Sequence, residues 1–284
     1  MADLTGKTVL ITGATSGIGL QTSVRLAQLG ASLVMVGRDP AKTAAKVDEV
    51  RKRSRATSVE SLLCDFSSQE RIRALAEEFR AGHERLHILV NNAGAVFANR
   101  TLTGDGIEAT FALNHLGYFL LTQLLLDLLV KSAPARVINV ASAAHYRGTM
   151  DFDDLGFERG YKIMRAYSRS KLANVLFTRE LATRLEGTGV TVNSLHPGSV
   201  ATNIWNGAPR WMRPIINILA RFFMLTPAQG ADAVVHLAVS PEVEGKTGLY
   251  FENNHPKTPS VLASDSSVAK QLWERSSKLV KIKA

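Results

Sequence analysis

Short apolar runs along this chain alternate with longer stretches in which apolar residues recur every three or four positions. The runs are Lys7 to Ile11, Ser32 to Val36, Ser58 to Cys64, His87 to Val90, Ala135 to Val140, Val190 to Leu195 and Thr247 to Phe251. The first reads as a buried strand and each of the others is strand-like. The intervening stretches predict helices after Gly13 as far as Gly30, from Pro40 to the basic run Arg51–Arg55, and over Ser68–Arg80. Further helices are expected over Gly106–Val130, Tyr161–Leu185 and Pro227–Val239. Strands separated by helices throughout imply an α/β fold, a single Rossmann-type doubly wound parallel sheet of about seven strands with helices on both faces. With no repeat, low-complexity segment or linker, residues 1–284 read as one domain, with an insertion at about 203–226 and a C-terminal tail at about 253–284.

Composition narrows the class. A hydrophobic content of 45% with 21% charged residues is that of a soluble globular chain of 284 residues, long enough for one large core. The single cysteine, Cys64, excludes an internal disulfide and multi-cysteine metal sites, and its apolar setting marks it as a small buried residue. None of the seven histidines has a ligand spacing, so no metal is expected. The net charge of +9 raises nucleic acid as a partner, but the densest basic run falls at an expected helix end, where cations suit the helix dipole. No aromatic residues interleave with it, so no nucleic-acid partner is expected. The start, Met1 to Lys7, lacks a signal-peptide core, and no stretch reaches the ~18 apolar residues of a spanning helix, so a cytoplasmic location is the expectation.

Candidate chemistry lies at the carboxyl ends of the expected strands, where open α/β sheets bind ligands. The first strand runs into Gly13-Ala14-Thr15-Ser16-Gly17-Ile18-Gly19 and then a helix, an arrangement that aims backbone N–H groups at a dinucleotide pyrophosphate. The second ends in Gly37-Arg38-Asp39-Pro40. Asp before Pro is a helix N-cap arrangement, which leaves Arg38 to meet a ribose 2′-phosphate and favours NADP(H) over NAD(H). Later tips carry Asp65-Phe66, Asn91-Asn92-Ala93-Gly94, Ala141-Ser142 and His196-Pro197-Gly198, with His196 read as structural. Of five tyrosines only Tyr167 has a lysine four residues on, so Tyr167 and Lys171 share a helix face. A phenol ionises near pH ~10, and a neighbouring ammonium lowers that value toward the working range of an acid–base group.

With Thr12-Gly13-x-x-x-Gly17-Ile18-Gly19, Asn91-Asn92-Ala93-Gly94, Asn114, Ser142, Tyr167-x-x-x-Lys171 and Pro197-Gly198 in order, the chain resembles the short-chain dehydrogenase/reductase superfamily from about Gly6 to about Glu252. Leu113-Asn114-His115-Leu116-Gly117, Ala141 to His145 and Tyr167 to Asn174 look like its retinol-dehydrogenase-like branch. The resemblance implies that Tyr167 exchanges a proton with the substrate oxygen, that Ser142 hydrogen-bonds that oxygen, that Lys171 depresses the tyrosine pKa and holds the nicotinamide ribose, and that Asn114 positions a relay water. It places Gly13, Ser16 and Ile18 along the pyrophosphate, Asp65 near the adenine, Asn91 near the adenosine ribose, and Val200 and Thr202 near the nicotinamide amide. Thr15, Gly17, Gly19, Phe66, Ala93, Gly94, Pro197 and Gly198 complete the expected cofactor contacts. The implied activity is NADP(H)-dependent hydride transfer to or from a lipophilic alcohol, aldehyde or ketone. A steroid or other ketone reductase, and a non-catalytic NADP sensor, remain as alternatives.

The stretch between Pro197-Gly198 and the helix after Pro227 exceeds the ~2–6 residues usual for a connection. Its middle, Trp211 to Leu225, predicts a helix apolar nearly all round, with Arg213, Asn217 and Arg221 as one narrow stripe. A substrate lid is favoured; a core or subunit-interface helix in a homo-oligomer, and peripheral contact with a membrane surface, stay open.

Overall fold

Apolar residues that fill both faces of Val9-Leu10-Ile11, all of them fully buried, need helices on each side of the strand that holds them. A computed structural model, describing residues 3–198 and 225–283, shows that arrangement. Among the described residues the sheet has eight strands: β1 (Thr8–Thr12), β2 (Ser32–Gly37), β3 (Val59–Leu63), β4 (Ile88–Asn91), β5 (Ala135–Val140), β6 (Val190–His196), β7 (Tyr250–Glu252) and β8 (His255–Pro256). Their order is β3-β2-β1-β4-β5-β6-β7-β8. All neighbours are parallel except β7 and β8. The two-residue β8 is one strand more than the about seven expected. It turns back through Asn253 and Asn254, whose φ of 52° and 66° suit a short-side-chain turn.

One face carries α1 (Gly17–Gln28), α2 (Pro40–Ser54) and a later helix, Pro227–Val239. The other carries α3 (Gln69–Gly82), the segment after Gly106, and Ile163–Arg184, a helix of 22 residues. Two apolar layers result, one on each side of the sheet. Asp39 caps α2 as expected, its carboxylate accepting from Lys42 N–H at 2.7 Å. Ser68 does the same for α3.

The expected helix Gly106–Val130 is interrupted. Glu108 caps a single turn, Ala109–Phe111, by accepting from the N–H groups of Thr110 and Phe111 at 2.8 Å each. A π-helical turn follows at Ala112–Leu116, and the α-helix resumes at Gly117–Leu124 and Leu126–Lys131. Such turns insert one residue and re-aim the side chains they hold, here Asn114 and His115.

The segment expected as a C-terminal tail contains β8 and two helices, Val261–Ser264 and Ser266–Leu279. The last of these lies on Ile163–Arg184. Trp273 is buried edge-on to Phe119, with ring centroids 4.9 Å apart, and stacks under Arg184 at 4.1 Å. Its apolar positions Ala269, Leu272, Trp273 and Val280 recur at helical spacing, so the pattern was present in the sequence. The predicted Trp211–Leu225 helix, with Val200 and Thr202, lies outside the described residues except for Leu225.

Candidate active site

Strand order reverses between β1 and β4, so their carboxyl ends diverge and open a crevice. A cleft of about 470 Å³ lies there. Gly13, Thr15, Ser16, Gly17 and Ile18 line one side, Arg38 marks its β2 end, and Asp65, Phe66, Ala93 and Gly94 follow. Ser142, Tyr167, Lys171, Pro197 and Gly198 close its far end. A larger cleft of about 910 Å³ opens where the strands begin, beside Lys7, Ile88, Ala135 and Val190, and none of the Ser–Tyr–Lys residues borders it. Helix N-termini and strand tips converge on the smaller one, and it is the candidate site.

The glycine turn suits close approach of a ligand. Gly13 has φ of 66°, and a Cβ there would sit 2.8 Å from the Ala93 Cα. Gly19 serves packing: its Cβ would be 2.4 Å from the Gly13 carbonyl oxygen, and it does not border the cleft. Thr12 ties the two turns together, its hydroxyl accepting from the N–H groups of Asn92 and Ala93 at 2.9 Å each. Ser16 stands at the N-cap of α1 with no side-chain cap bond, unlike Asp39 and Ser68 on the next two helices. The first-turn N–H groups of α1 therefore remain available to an anion. Arg38 is exposed and forms no ion pair or hydrogen bond with any other described residue. Open amides, a turn that excludes side chains and an exposed guanidinium at the β2 tip together fit a dinucleotide.

At the other end, Ser142 caps the short 3₁₀ turn Ala143–Arg147, its Oγ accepting from Ala144 N–H at 3.1 Å. With that lone pair used, its hydroxyl hydrogen bonds to Tyr167 and lowers the phenol pKa. Burial acts more strongly in the opposite direction and pushes Tyr167 up to about 12. Lys171, also buried, is pushed down to about 7. Its Nζ donates to the Val140 carbonyl oxygen at 2.8 Å and lies 5.7 Å from the centre of the Tyr167 ring. The i,i+4 pairing is therefore formed, with burial rather than the ammonium dominating the tyrosine.

Two expected residues stand behind the cleft. Asn114 is fully buried; its Nδ2 donates to Ala95 O at 3.0 Å and Ser170 Oγ at 3.1 Å, and its Oδ1 accepts from Ala95 N–H at 2.8 Å. That side chain braces the segment after β4 against the Tyr–Lys helix. Asn91 sends its amide away from the cleft, to Thr122 Oγ1 at 3.0 Å and Asn139 Oδ1 at 2.9 Å. Its neighbour Asn92 borders the cleft instead, donating to Thr12 O at 2.9 Å and Gly13 O at 3.2 Å. Strand alternation requires adjacent residues to point to opposite faces, so only one of the two asparagines turns its side chain to the cleft. His196, read as structural, borders the cleft as well, as does Met164. Among the described residues no cluster of His, Cys, Asp and Glu could hold a metal. No described helix is long and apolar enough to cross a membrane.

Comparison with known proteins agrees with this geometry. The model of the short chain dehydrogenase family matches residues 7–213, and the chain belongs to that family of nicotinamide-dependent oxidoreductases. It falls in the retinol-dehydrogenase-like branch. It is 44% identical to human retinol dehydrogenase 14 over 97% of this chain and 86% of that protein, and 41% identical to human retinol dehydrogenase 13 over 100% and 87%. Among solved structures, an uncharacterized protein from Mycobacterium paratuberculosis superposes with a TM-score of 0.82 at 31% identity, covering 100% of this chain and 96% of that one. The Pseudomonas aeruginosa RhlG/NADP active-site complex superposes with a TM-score of 0.70 at 27% identity, covering 94% and 98%.

Proposed function

We propose that this protein transfers hydride between NADP(H) and the carbonyl or alcohol group of a lipophilic substrate of the retinal/retinol kind. The observation that carries the reading is the Ser142–Tyr167–Lys171 set at one end of a cleft whose other end holds the exposed Arg38, which has no partner among the described residues. The substrate class rests on the likeness to the retinol dehydrogenases.

When bound, the dinucleotide would supply or accept the hydride at the substrate carbon. The protein's task is then the proton and its placement. In reduction, Tyr167 gives its phenolic proton to the carbonyl oxygen while Ser142 donates a hydrogen bond to the same oxygen; oxidation reverses both. A tyrosine pushed up to about 12 is fully protonated at neutral pH, as a proton donor must be. Lys171, pushed down to about 7, exchanges protons readily near neutrality and can restore the phenol. Arg38 would hold the 2′-phosphate, and the open amides of α1 would hold the pyrophosphate.

Tyr167→Phe tests the assignment with NADPH and a panel of hydrophobic aldehydes. Turnover should fall by ~10²–10⁴-fold with NADPH binding retained, because only the proton donor is removed. A variant that keeps more than about half of wild-type kcat removes Tyr167 from that role.

A further inference from the structure

His145 lies three residues beyond Ser142 and is fully buried, yet it does not border the cleft. Both of its ring nitrogens are engaged. Nδ1 faces the Ser142 carbonyl oxygen at 2.8 Å, and an oxygen there requires Nδ1 to donate. Nε2 faces the backbone N–H of Ser260 at 3.2 Å, and a donor there requires Nε2 to accept. The two contacts independently select one neutral tautomer, with the hydrogen on Nδ1. Burial lowers the pKa of the ring and favours the same neutral form.

Ser260 is itself held in place. It caps the helix Val261–Ser264, its hydroxyl accepting from Ala263 N–H at 3.3 Å. The His145 ring is fixed further by Tyr250 of β7, edge-on at 4.6 Å, and by Tyr146 at 4.1 Å. A continuous path therefore runs from the C-terminal segment through the imidazole to the peptide group of Ser142. That carbonyl accepts a second bond from the His145 backbone N–H at 3.0 Å, so its plane is fixed from two directions.

We propose that His145 is a positioning residue for Ser142: its Nδ1–H bond to the Ser142 carbonyl holds the residue whose hydroxyl meets the substrate oxygen, and the Ser260 N–H serves only to select the tautomer that makes that bond. The inference rests on the proposed function, since it needs Ser142 to act in catalysis. Loss of the Nδ1 bond frees the Ser142 peptide to rotate about its remaining bond. The hydroxyl on that residue then leaves the line to Tyr167. Misplacement of a catalytic group by about 1 Å is enough to lower turnover by ~10²-fold.

Three substitutions in the full chain separate the two bonds. His145→Asn places an amide N–H where Nδ1–H stood and keeps the bond to Ser142 while losing Ser260. His145→Gln places its amide near Nε2 and keeps only Ser260. His145→Phe fills the space and keeps neither. With retinal and NADPH, the Asn variant should retain kcat within about threefold of wild type, whereas Gln and Phe should fall by about tenfold to a hundredfold. KM for retinal and Kd for NADPH should stay unchanged in all three. Melting temperatures should not follow that order, because Asn leaves more empty volume than Phe. Equal kcat for Asn and Gln, or losses of kcat that track Tm across the series, overturns the proposal. A wild type active with retinal, inactive as Tyr167→Phe and indifferent at His145 overturns this inference alone. A wild type without turnover overturns it together with the functional reading.

Discussion

Replacing Thr12 by Val exchanges a hydroxyl for a methyl group of nearly the same size at a fully buried position. The hydroxyl accepts from Asn92 N–H and Ala93 N–H, both at 2.9 Å, and itself faces Val90 O at 3.4 Å. The variant orphans two backbone donors together. The valine methyl takes the place of the hydroxyl at this fully buried position, so no water can stand in for it. Each orphaned donor costs about 1–3 kcal/mol, so the pair amounts to ~2–6 kcal/mol. Unfolding entropy near 2.1 cal/mol/K per residue makes ~0.6 kcal/mol/K for a chain of this length, so Tm should fall by about 3–10 °C. Thr12→Ser keeps the hydroxyl and loses only a methyl, about 1 kcal/mol. Thermal and urea unfolding of both variants, with NADPH titration, form the assay. NADPH affinity should fall in Thr12→Val as well, since the Asn92–Gly94 tip borders the cleft. A Thr12→Val protein as stable as Thr12→Ser would refute the tie between these turns.

Two further outcomes are expected. Arg38→Asp should shift preference from NADPH toward NADH, because a carboxylate repels the 2′-phosphate and accepts from ribose hydroxyls; an unchanged ratio of kcat/KM for the two cofactors would remove Arg38 as the discriminator. His115, fully buried between Asn174 and Ser276, is pushed down to about 3 by burial, below the 6.5 of an exposed ring. Between those values the unfolded chain binds a proton that the folded chain refuses, so stability is full above pH 6.5 and lost as pH falls. Wild type should therefore lose about 1.4 kcal/mol per pH unit more than His115→Gln on acidification from pH 6.5 to about 4; parallel stability curves would show that His115 does not titrate this way.

The architecture was legible because its signals are local. Buried parallel strands must be apolar on both faces, crossovers must be long enough for a helix, and the groups at strand ends then share one edge. Asp39 could be separated from Arg38 in the sequence because a cap before proline is a matter of three successive residues, and the bond to Lys42 N–H is present. Tyr167 and Lys171 could be paired because helical spacing alone makes them neighbours. The C-terminal helix Ser266–Leu279 was also written in its spacing.

Other features arise only when distant segments meet. The break at Ala112–Leu116 depends on Asn114 finding the Ala95 backbone and Ser170, contacts that no helical period encodes. The tyrosine pKa depends on how much of the molecule surrounds it, and burial drives Tyr167 up although a lysine stands one turn away. Which of two adjacent asparagines faces the cleft follows from strand register, set by the pairing of β4 with β1 and β5. Ser260, 115 residues from His145, supplies the donor that fixes its tautomer. Periodicity and spacing act within a few turns of chain. Desolvation and long-range hydrogen bonds belong to the folded volume, so chemistry could be assigned to residue types from sequence, while protonation and orientation were decided by the tertiary structure.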